Sequence, residues 1–220
     1  MPSRLERMAR NWDVTEKESF MEKIGKLINP PPPMKQRIAL ALYKVKVQAS
    51  KLEHMFNRLQ ERDRILFEKV VGAQMMKDMA RAAIYANEVA EVRKIAKTIL
   101  RAQLALEQVA LRLETVQQLG DVLTTMAPVV SVIRNIKSQL IGVVPEIAFE
   151  LSEIDDILQT VVIEVGQFTG QRIDVTAMSA EAKKILDEAA IIAEQRMKEK
   201  FPELPAATSQ AVNELPAPPK

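Results

Sequence analysis

The chain has no cysteine, one histidine and few aromatic residues, which make up 4% of its 220 residues. Without cysteine, disulfide bonds and thiolate chemistry are excluded, and the composition fits a reducing interior. A single histidine, His54, cannot build a zinc site of the usual kind, which needs several nitrogen or sulfur ligands. We interpret His54 as an ordinary residue of a predicted helix.

Sequence signatures of catalysis are also missing. Gly166 and Gly170 are followed by glutamine rather than by the lysine of a phosphate-binding loop. No nucleophile elbow is present. Asp155 and Asp156 are adjacent, so on a helix they point about 100° apart and do not form a shared-proton pair. We therefore expect no enzyme, and no catalytic, cofactor-binding or metal-binding residues.

Long hydrophobic runs are absent as well. The longest apolar runs are about six residues, far short of the roughly 20 that span a bilayer. The N-terminus lacks the apolar core of a signal peptide. Any contact with a membrane is therefore expected to be peripheral.

What the sequence does contain is helical periodicity. Hydrophobic residues make up 47% of the chain against only six glycines, a profile typical of long helices. Apolar residues recur every seven positions from Ile38 to Leu66 and from Val92 to Leu113, each run with a second seam beside it. Asp63 interrupts the second seam of the first run. These patterns predict an all-α fold built on a long antiparallel helical hairpin.

Shorter elements surround this hairpin. We expect a helix over 13–29, a stiff proline spacer ending the segment 13–33, and a first long helix over 34–71. A turn is predicted around Gly72 to Asp78, and the second helix is predicted to end near Ala127, where Pro128 opens the next element. Further amphipathic helices are predicted over 129–141, 145–166 and 179–200. The tail, 201–220, has five prolines and no periodicity, so we expect it to be disordered.

Charge divides the chain into two unlike halves. Residues 1–100 carry 20 Lys and Arg against 12 Asp and Glu, whereas residues 101–220 carry 11 against 17. The basic half includes a stretch with no acidic residue, and this face is predicted to bind a phosphate-rich surface. Its members are Lys35, Arg37, Lys44, Lys46 and Lys51.

Residues 1–12 favour a lipid surface over nucleic acid. Leu5, Met8 and Trp12 form one stripe of a helix, a pattern typical of a segment that lies in the bilayer interface. Three arginines flank that stripe: Arg4, Arg7 and Arg10. The basic region has no aromatic residues interleaved for base stacking, so nucleic acid is not an expected partner.

The helix predicted over 145–166 is acidic and has no basic residue. We interpret it as a latch that folds onto the basic hairpin of its own chain, or onto that of a neighbouring copy. The carboxylates predicted to make these autoinhibitory or polymer contacts are Glu146, Glu150, Glu153, Asp155 and Asp156.

The tail begins with a compact motif, Phe201-Pro202-Glu203-Leu204-Pro205. Alternating large apolar residues and prolines preorganise an extended strand, so its binding loses less entropy. Such a peptide suits a groove between the helices of a partner. Phe201, Pro202, Leu204 and Pro205 are the predicted contacts.

Taken together, these residues resemble the ESCRT-III proteins, and specifically the CdvB-type paralogues of archaeal cell division. The basic hairpin from 34 to 127 carries the resemblance, together with the segment Pro128 to Gly166. Within that segment, Pro145 to Leu151, followed by Glu164-Val165-Gly166, is similar to the archaeal group.

The resemblance implies a membrane-remodelling polymer of this chain and other ESCRT-III paralogues. It implies a helical core over 34–170, a regulatory helix within 171–200, and a C-terminal motif gripped by the MIT domain of an AAA ATPase that extracts subunits. It also implies a cytoplasmic protein held at the inner face of the cell membrane at the division site, on anionic lipid.

One feature departs from the recruiting member of the archaeal group, which carries a C-terminal winged-helix-like module. About 20 residues follow the last predicted helix, too few for such a module. We therefore expect this chain to join a polymer begun by another paralogue. Two other interpretations stay open from sequence alone: a soluble coiled-coil adaptor and a helical protein that organises nucleic acid.

Overall fold

The structure is a computed structural model that describes residues 32–119, 122–169 and 179–204. Within those ranges the chain forms five α-helices and no strand, which confirms the predicted all-α fold. The helices are α1 (Met34–Met75), α2 (Met79–Leu119), α3 (Val122–Leu140), α4 (Pro145–Thr169) and α5 (Ala180–Lys200). The chain divides into two units, 1–36 and 37–220; of the first, the structure describes 32–36.

Within the second unit, α1 and α2 pack antiparallel. Lys46, early in α1, pairs with Glu114, late in α2, whereas Asp63, late in α1, pairs with Arg93, early in α2. The heptad seams lie along this contact because a seven-residue repeat keeps one helix face toward its partner. Buried members of these seams are Ile38, Leu42, Val45, Ala49, Leu52, Phe56, Val92, Ile99, Leu106, Val109 and Leu113.

The connection between α1 and α2 lies within the predicted range Gly72 to Asp78, but α1 ends later than predicted. α1 continues through Gly72 to Met75, because one glycine weakens a helix without ending it. The turn is formed by Met76 to Asp78, with Lys77 in the left-handed region at a φ of 58°. The side chain of Asp78 accepts a hydrogen bond from the backbone N–H of Arg81 at 3.0 Å and so caps α2.

The sequence predicted that Pro128 opens a helix, and this prediction is wrong: Pro128 lies inside α3. A proline in a helix removes one backbone hydrogen bond and usually ends or kinks the helix. Here its neighbours Met126, Val129 and Val130 are fully buried. Their burial offsets the local cost, so tertiary packing overrides the local signal.

The three later helices close over the hairpin. α3 contacts α2, α4 and α5, and α5 also contacts α2. α4 lies antiparallel to α1, since Lys44 pairs with Glu153 and Lys51 with the earlier Glu146. The inner side of α4 is fully buried at Leu151, Ile154 and Leu158. α4, which the sequence analysis identified as acidic, is therefore part of the core of this unit and also contacts basic residues of α1.

Candidate functional site

The site built by these elements is the contact between the basic row of α1 and the carboxylates of α4. Arg37 binds Glu164, Lys44 binds Glu153, and Lys51 lies 4.0 Å from Glu146. The cations lie at every second turn of α1, and the glutamates that they meet lie two or three turns apart on α4. We call the cations of α1 the basic row: Arg37, Lys44, Lys46 and Lys51. We call the glutamates of α4 that face it the acidic cover: Glu146, Glu153 and Glu164.

Arg37 is the most enclosed member of the row. Its side chain is 10% exposed, and one terminal nitrogen, Nη2, donates to Glu164. The other two guanidinium nitrogens, Nε and Nη1, are buried without a hydrogen-bond partner. A buried donor without an acceptor costs about 1–3 kcal/mol. Opening this contact would give both nitrogens access to water as a hydrogen-bond acceptor.

Lys44 is held electrostatically. The hydrogen bond that it donates to Glu153 raises the pKa of the Lys44 ammonium, opposed by partial burial and supported by the charges of Glu153 and Glu150. Glu150, half-buried on α4, therefore acts on the same lysine as Glu153. In this arrangement the charge of Lys44 is paired with carboxylates of α4.

Lys46 and Lys51 are the more accessible members of the row. Lys46 pairs with Glu114 of α2 rather than with α4, and its side chain is 56% exposed. Lys51 is 44% exposed. Exposed ion pairs contribute about 0–1 kcal/mol each, so these two lysines exchange partners readily.

The five predicted acidic residues do not share one role. Glu146 and Glu153 contact the basic row, and Glu150 is close enough to influence it. Asp155 is 4% exposed and accepts hydrogen bonds from Nε of Arg134 on α3, at 3.1 and 3.2 Å. Asp155 thus joins α4 to α3, while Asp156 is exposed. Glu164, the partner of Arg37, is an additional contact that the sequence reasoning did not name.

A second set of charge pairs docks α5 on α2. Lys97 donates to Glu194 at 2.9 Å, and this hydrogen bond lowers the pKa of the Glu194 carboxyl. Nearer the start of α5, Glu181 accepts a hydrogen bond from Arg112. These partly exposed pairs set the register of α5, and its buried face supplies the packing through Ile185, Ala189 and Ala193.

The tail motif begins on the hairpin. Phe201 is 6% exposed, with its ring centroid 6.0 Å from that of Phe56 in an edge-on arrangement. The guanidinium of Arg93 lies 5.6 Å from the Phe201 ring centroid. Leu204 packs against the buried cluster of Val70, Ala86 and Val89. Two of the residues predicted to contact a partner therefore contact the chain's own hairpin.

Pro202 is exposed between those two anchors. Lys35 is exposed in α1 and belongs to the separate unit 1–36. The other predicted contacts fall outside the described residues: Arg4, Leu5, Arg7, Met8, Arg10, Trp12 and Pro205.

In the part of the chain that the structure describes, no group of three or more His, Cys, Asp or Glu residues is arranged to hold a metal ion. Among the described helices, none is long and apolar enough to cross a membrane. The chemistry that this site supports is reversible pairing of cationic side chains with carboxylates.

Comparison with known proteins identifies relatives of this chain. The chain is 53% identical over 175 residues to cell division protein B1 of Sulfolobus acidocaldarius, covering 80% of the chain and 82% of that protein. It is 36% identical over 195 residues to cell division protein B of the same organism, covering 87% and 75%. Cell division protein B3 is 29% identical over 164 residues, covering 74% and 90%.

No protein-family model and no solved structure matches the chain. The relatives define the class, an ESCRT-III-type protein, and the all-helical fold is consistent with that class. The chain belongs to the cell division protein B family, the archaeal CdvB branch of ESCRT-III, as the sequence resemblance predicted.

Proposed function

We propose that this chain is a subunit of a membrane-remodelling filament that acts in archaeal cell division. The observation that carries the proposal is the acidic cover of α4 on the basic row of α1. Relatives named as cell division proteins supply the cellular process. In the arrangement described here, the cations proposed to hold the membrane are engaged by the chain's own carboxylates.

The proposed mechanism is competition for the basic row. Lipid phosphates and the α4 carboxylates are both anions. Lys44 and Lys51 therefore cannot make full ion pairs with the lipid and with α4 at the same time. A basic residue close to an anionic bilayer contributes about 1 kcal/mol, which is comparable with an exposed ion pair. An anionic surface is therefore able to replace the α4 carboxylates at these lysines. Release of α4 itself also uncovers its buried apolar face, which a neighbouring copy would have to cover again.

The other parts of the chain have supporting roles in this proposal. Residues 1–12 insert their apolar stripe into the bilayer interface, and repetition along a filament multiplies this weak contact by avidity. The helix within 171–200 helps to keep the subunit closed. The tail motif binds the MIT domain of an AAA ATPase, which supplies the hydrolysis that extracts subunits, whereas this chain is a non-enzymatic component.

Charge reversal on the basic row tests the proposal. The full chain carrying Lys44→Glu, Lys46→Glu and Lys51→Glu is compared in vesicle co-sedimentation, with phosphatidylglycerol vesicles and with neutral phosphatidylcholine vesicles. Because each lysine contributes about 1 kcal/mol, removing three weakens binding to the anionic vesicles by about 100-fold. Reversal adds repulsion, which only increases the effect.

The matched control makes the same change in charge on α2 and α5, at Lys94, Lys183 and Lys184, which are exposed. This control variant should lose only the part of its affinity for anionic vesicles that depends on the net charge of the protein. Equal loss in the two triple variants, or no loss in the α1 variant, would contradict the proposed membrane face.

A further inference from the structure

The start of the tail occupies a defined seat on the hairpin. Phe201 is extended, with φ −119° and ψ 110°, and its backbone N–H donates to the Met197 carbonyl at 3.0 Å. Its ring packs edge-on against Phe56 and beneath the guanidinium of Arg93. Nζ of Lys200 lies 5.1 Å from the Phe56 ring centroid. Aromatic and cation–π contacts of this kind stabilise the seated ring beyond the burial of its surface.

A buried ion pair positions Arg93 for this contact. Its Nε donates to Oδ1 of Asp63 at 2.6 Å and its Nη2 donates to Oδ2 at 3.1 Å. The side chain of Asp63 is 3% exposed and lies where the seam of α1 otherwise has apolar residues. A buried ion pair is rarely more stabilising than well-packed apolar residues. Stability of the core therefore does not explain the Asp63–Arg93 pair. Its effect here is to hold the Arg93 guanidinium against the Phe201 ring.

Leu204 provides a second anchor three residues later. It packs against the cluster of Val70, Ala86 and Val89, with Leu66 and Tyr85 at the edge. Pro202 and Glu203, between the anchors, are exposed. An extended peptide with two apolar anchors and a proline between them is a usual form of linear-motif recognition.

We infer that the hairpin contains a binding site for the peptide Phe-Pro-Glu-Leu, formed by Phe56, the Asp63–Arg93 pair and the Val70–Ala86–Val89 cluster. Its occupant is the chain's own segment Phe201–Leu204. Because the site uses both Phe201 and Leu204, the seated segment is not available to a second partner. Applied to the ATPase, this exclusion rests on the proposed function: the MIT domain binds only after the segment leaves the hairpin.

The mobility of the tail tests the site directly. The chain has no cysteine, so Glu203→Cys introduces a single position for a fluorescent dye, at an exposed residue of the seated segment. Dye anisotropy is then measured in the labelled full chain, with Asp63→Leu and Arg93→Met combined as the receptor variant. This double change removes the cation while keeping an apolar seam. Phe201→Ala, which lies after the last helix, is the second variant.

Anisotropy is expected to fall in both variants toward that of a free labelled peptide of the same sequence. Lys94→Met is the control, since Lys94 is the exposed neighbour of Arg93 on α2 and is 77% exposed. It should leave anisotropy unchanged. Unchanged anisotropy in the receptor variant and in Phe201→Ala would overturn the site.

The exclusion is tested with the unlabelled full chain and a purified MIT domain of the cell's AAA ATPase. The receptor variant leaves the motif intact, so it should bind the domain about fivefold or more tightly than the parent chain, because the closed fraction no longer lowers the apparent affinity. Equal affinity together with a released tail would overturn the exclusion. If the domain binds neither chain although the tail is released, the hairpin site stands and the ATPase role in the proposed function fails.

Discussion

At the scale of single residues, the same side chains have two prospective partners. Arg37 and Lys44 were predicted from sequence to face a phosphate-rich surface, and the structure shows both paired with α4 carboxylates. The structural finding does not exclude the prediction, because a phosphate can replace the carboxylate in an ion pair with arginine or lysine. The buried, partnerless nitrogens of Arg37 indicate that its present pairing is incomplete.

A residue-scale prediction concerns Asp63. Changing Asp63→Ala leaves the mostly buried guanidinium of Arg93 without its carboxylate, and breaking a buried pair in this way costs about 3–5 kcal/mol. Asp63→Leu combined with Arg93→Met should instead be within about 1 kcal/mol of the parent chain or more stable. Urea denaturation of the three proteins measures this difference. A loss below about 1 kcal/mol for Asp63→Ala would show that the pair is not enclosed as described.

Residue identity alone predicted part of this site. The excess of lysine and arginine early in the chain, and the absence of any basic residue in 145–166, predicted a surface on α4 complementary to α1. In the structure, Glu146, Glu153 and Glu164 of α4 lie against basic residues of α1. Asp63 was visible as a break in the seam, but its partner Arg93 was not. The two residues are 30 positions apart, and the sequence does not reveal which side chains a hairpin turn brings opposite each other. Asp155 was grouped with the other acids, since its burial against α3 depends on tertiary packing.

At the scale of elements, helix existence was predictable and helix ends were less so. The seven-residue repeat predicted α1 and α2 because burying one face stabilises a long helix regardless of its local residues. Gly72 and Pro128 were read as boundaries, although neither ends a helix here. Each is a local signal of about 1–3 kcal/mol, which the packing of α1 and the buried face of α3 outweigh.

The start of α5 gives an element-scale prediction. The hydroxyl of Ser179 accepts a hydrogen bond from the backbone N–H of Ala182 at 3.1 Å, which caps the helix. Ser179→Ala should therefore cost about 1 kcal/mol and speed amide exchange in the first turns of α5 about fivefold. Exchange followed by mass spectrometry measures this effect.

Ser152→Ala on α4 is the matched control for the cap. The Ser152 hydroxyl donates to the Ala148 carbonyl within its own helix at 3.3 Å, a bond that contributes little to helix stability. Exchange in α5 should be unaffected by this change. If both serine variants leave α5 exchange unchanged, the Ser179 cap does not stabilise the docked helix.

At the scale of the whole molecule, the uneven distribution of charge has a structural meaning. A basic first half and an acidic second half nearly cancel, leaving a formal net charge of +2. Within the unit 37–220, the two halves meet along α1 and α4, and again where Lys97 of α2 pairs with Glu194 of α5. Opening either contact would expose charge of both signs, which suits assembly with further copies as well as with an anionic surface.

The central claim is that the acidic cover of α4 keeps the basic row from the membrane. Glu150→Lys combined with Glu153→Lys removes that cover at Lys44 and adds repulsion, without changing the basic row itself. Glu88→Lys combined with Glu91→Lys makes the same change in charge at exposed positions of α2 and is the control.

The measurement that tests this claim most directly is negative-stain electron microscopy of the parent chain and both variants, mixed with phosphatidylglycerol vesicles and with neutral vesicles. The account predicts coats or tubes on anionic vesicles at a lower protein concentration for the α4 variant than for the parent or the α2 control, and bare neutral vesicles. Identical coating by the two charge-matched variants, or bare anionic vesicles with the α4 variant, would contradict it.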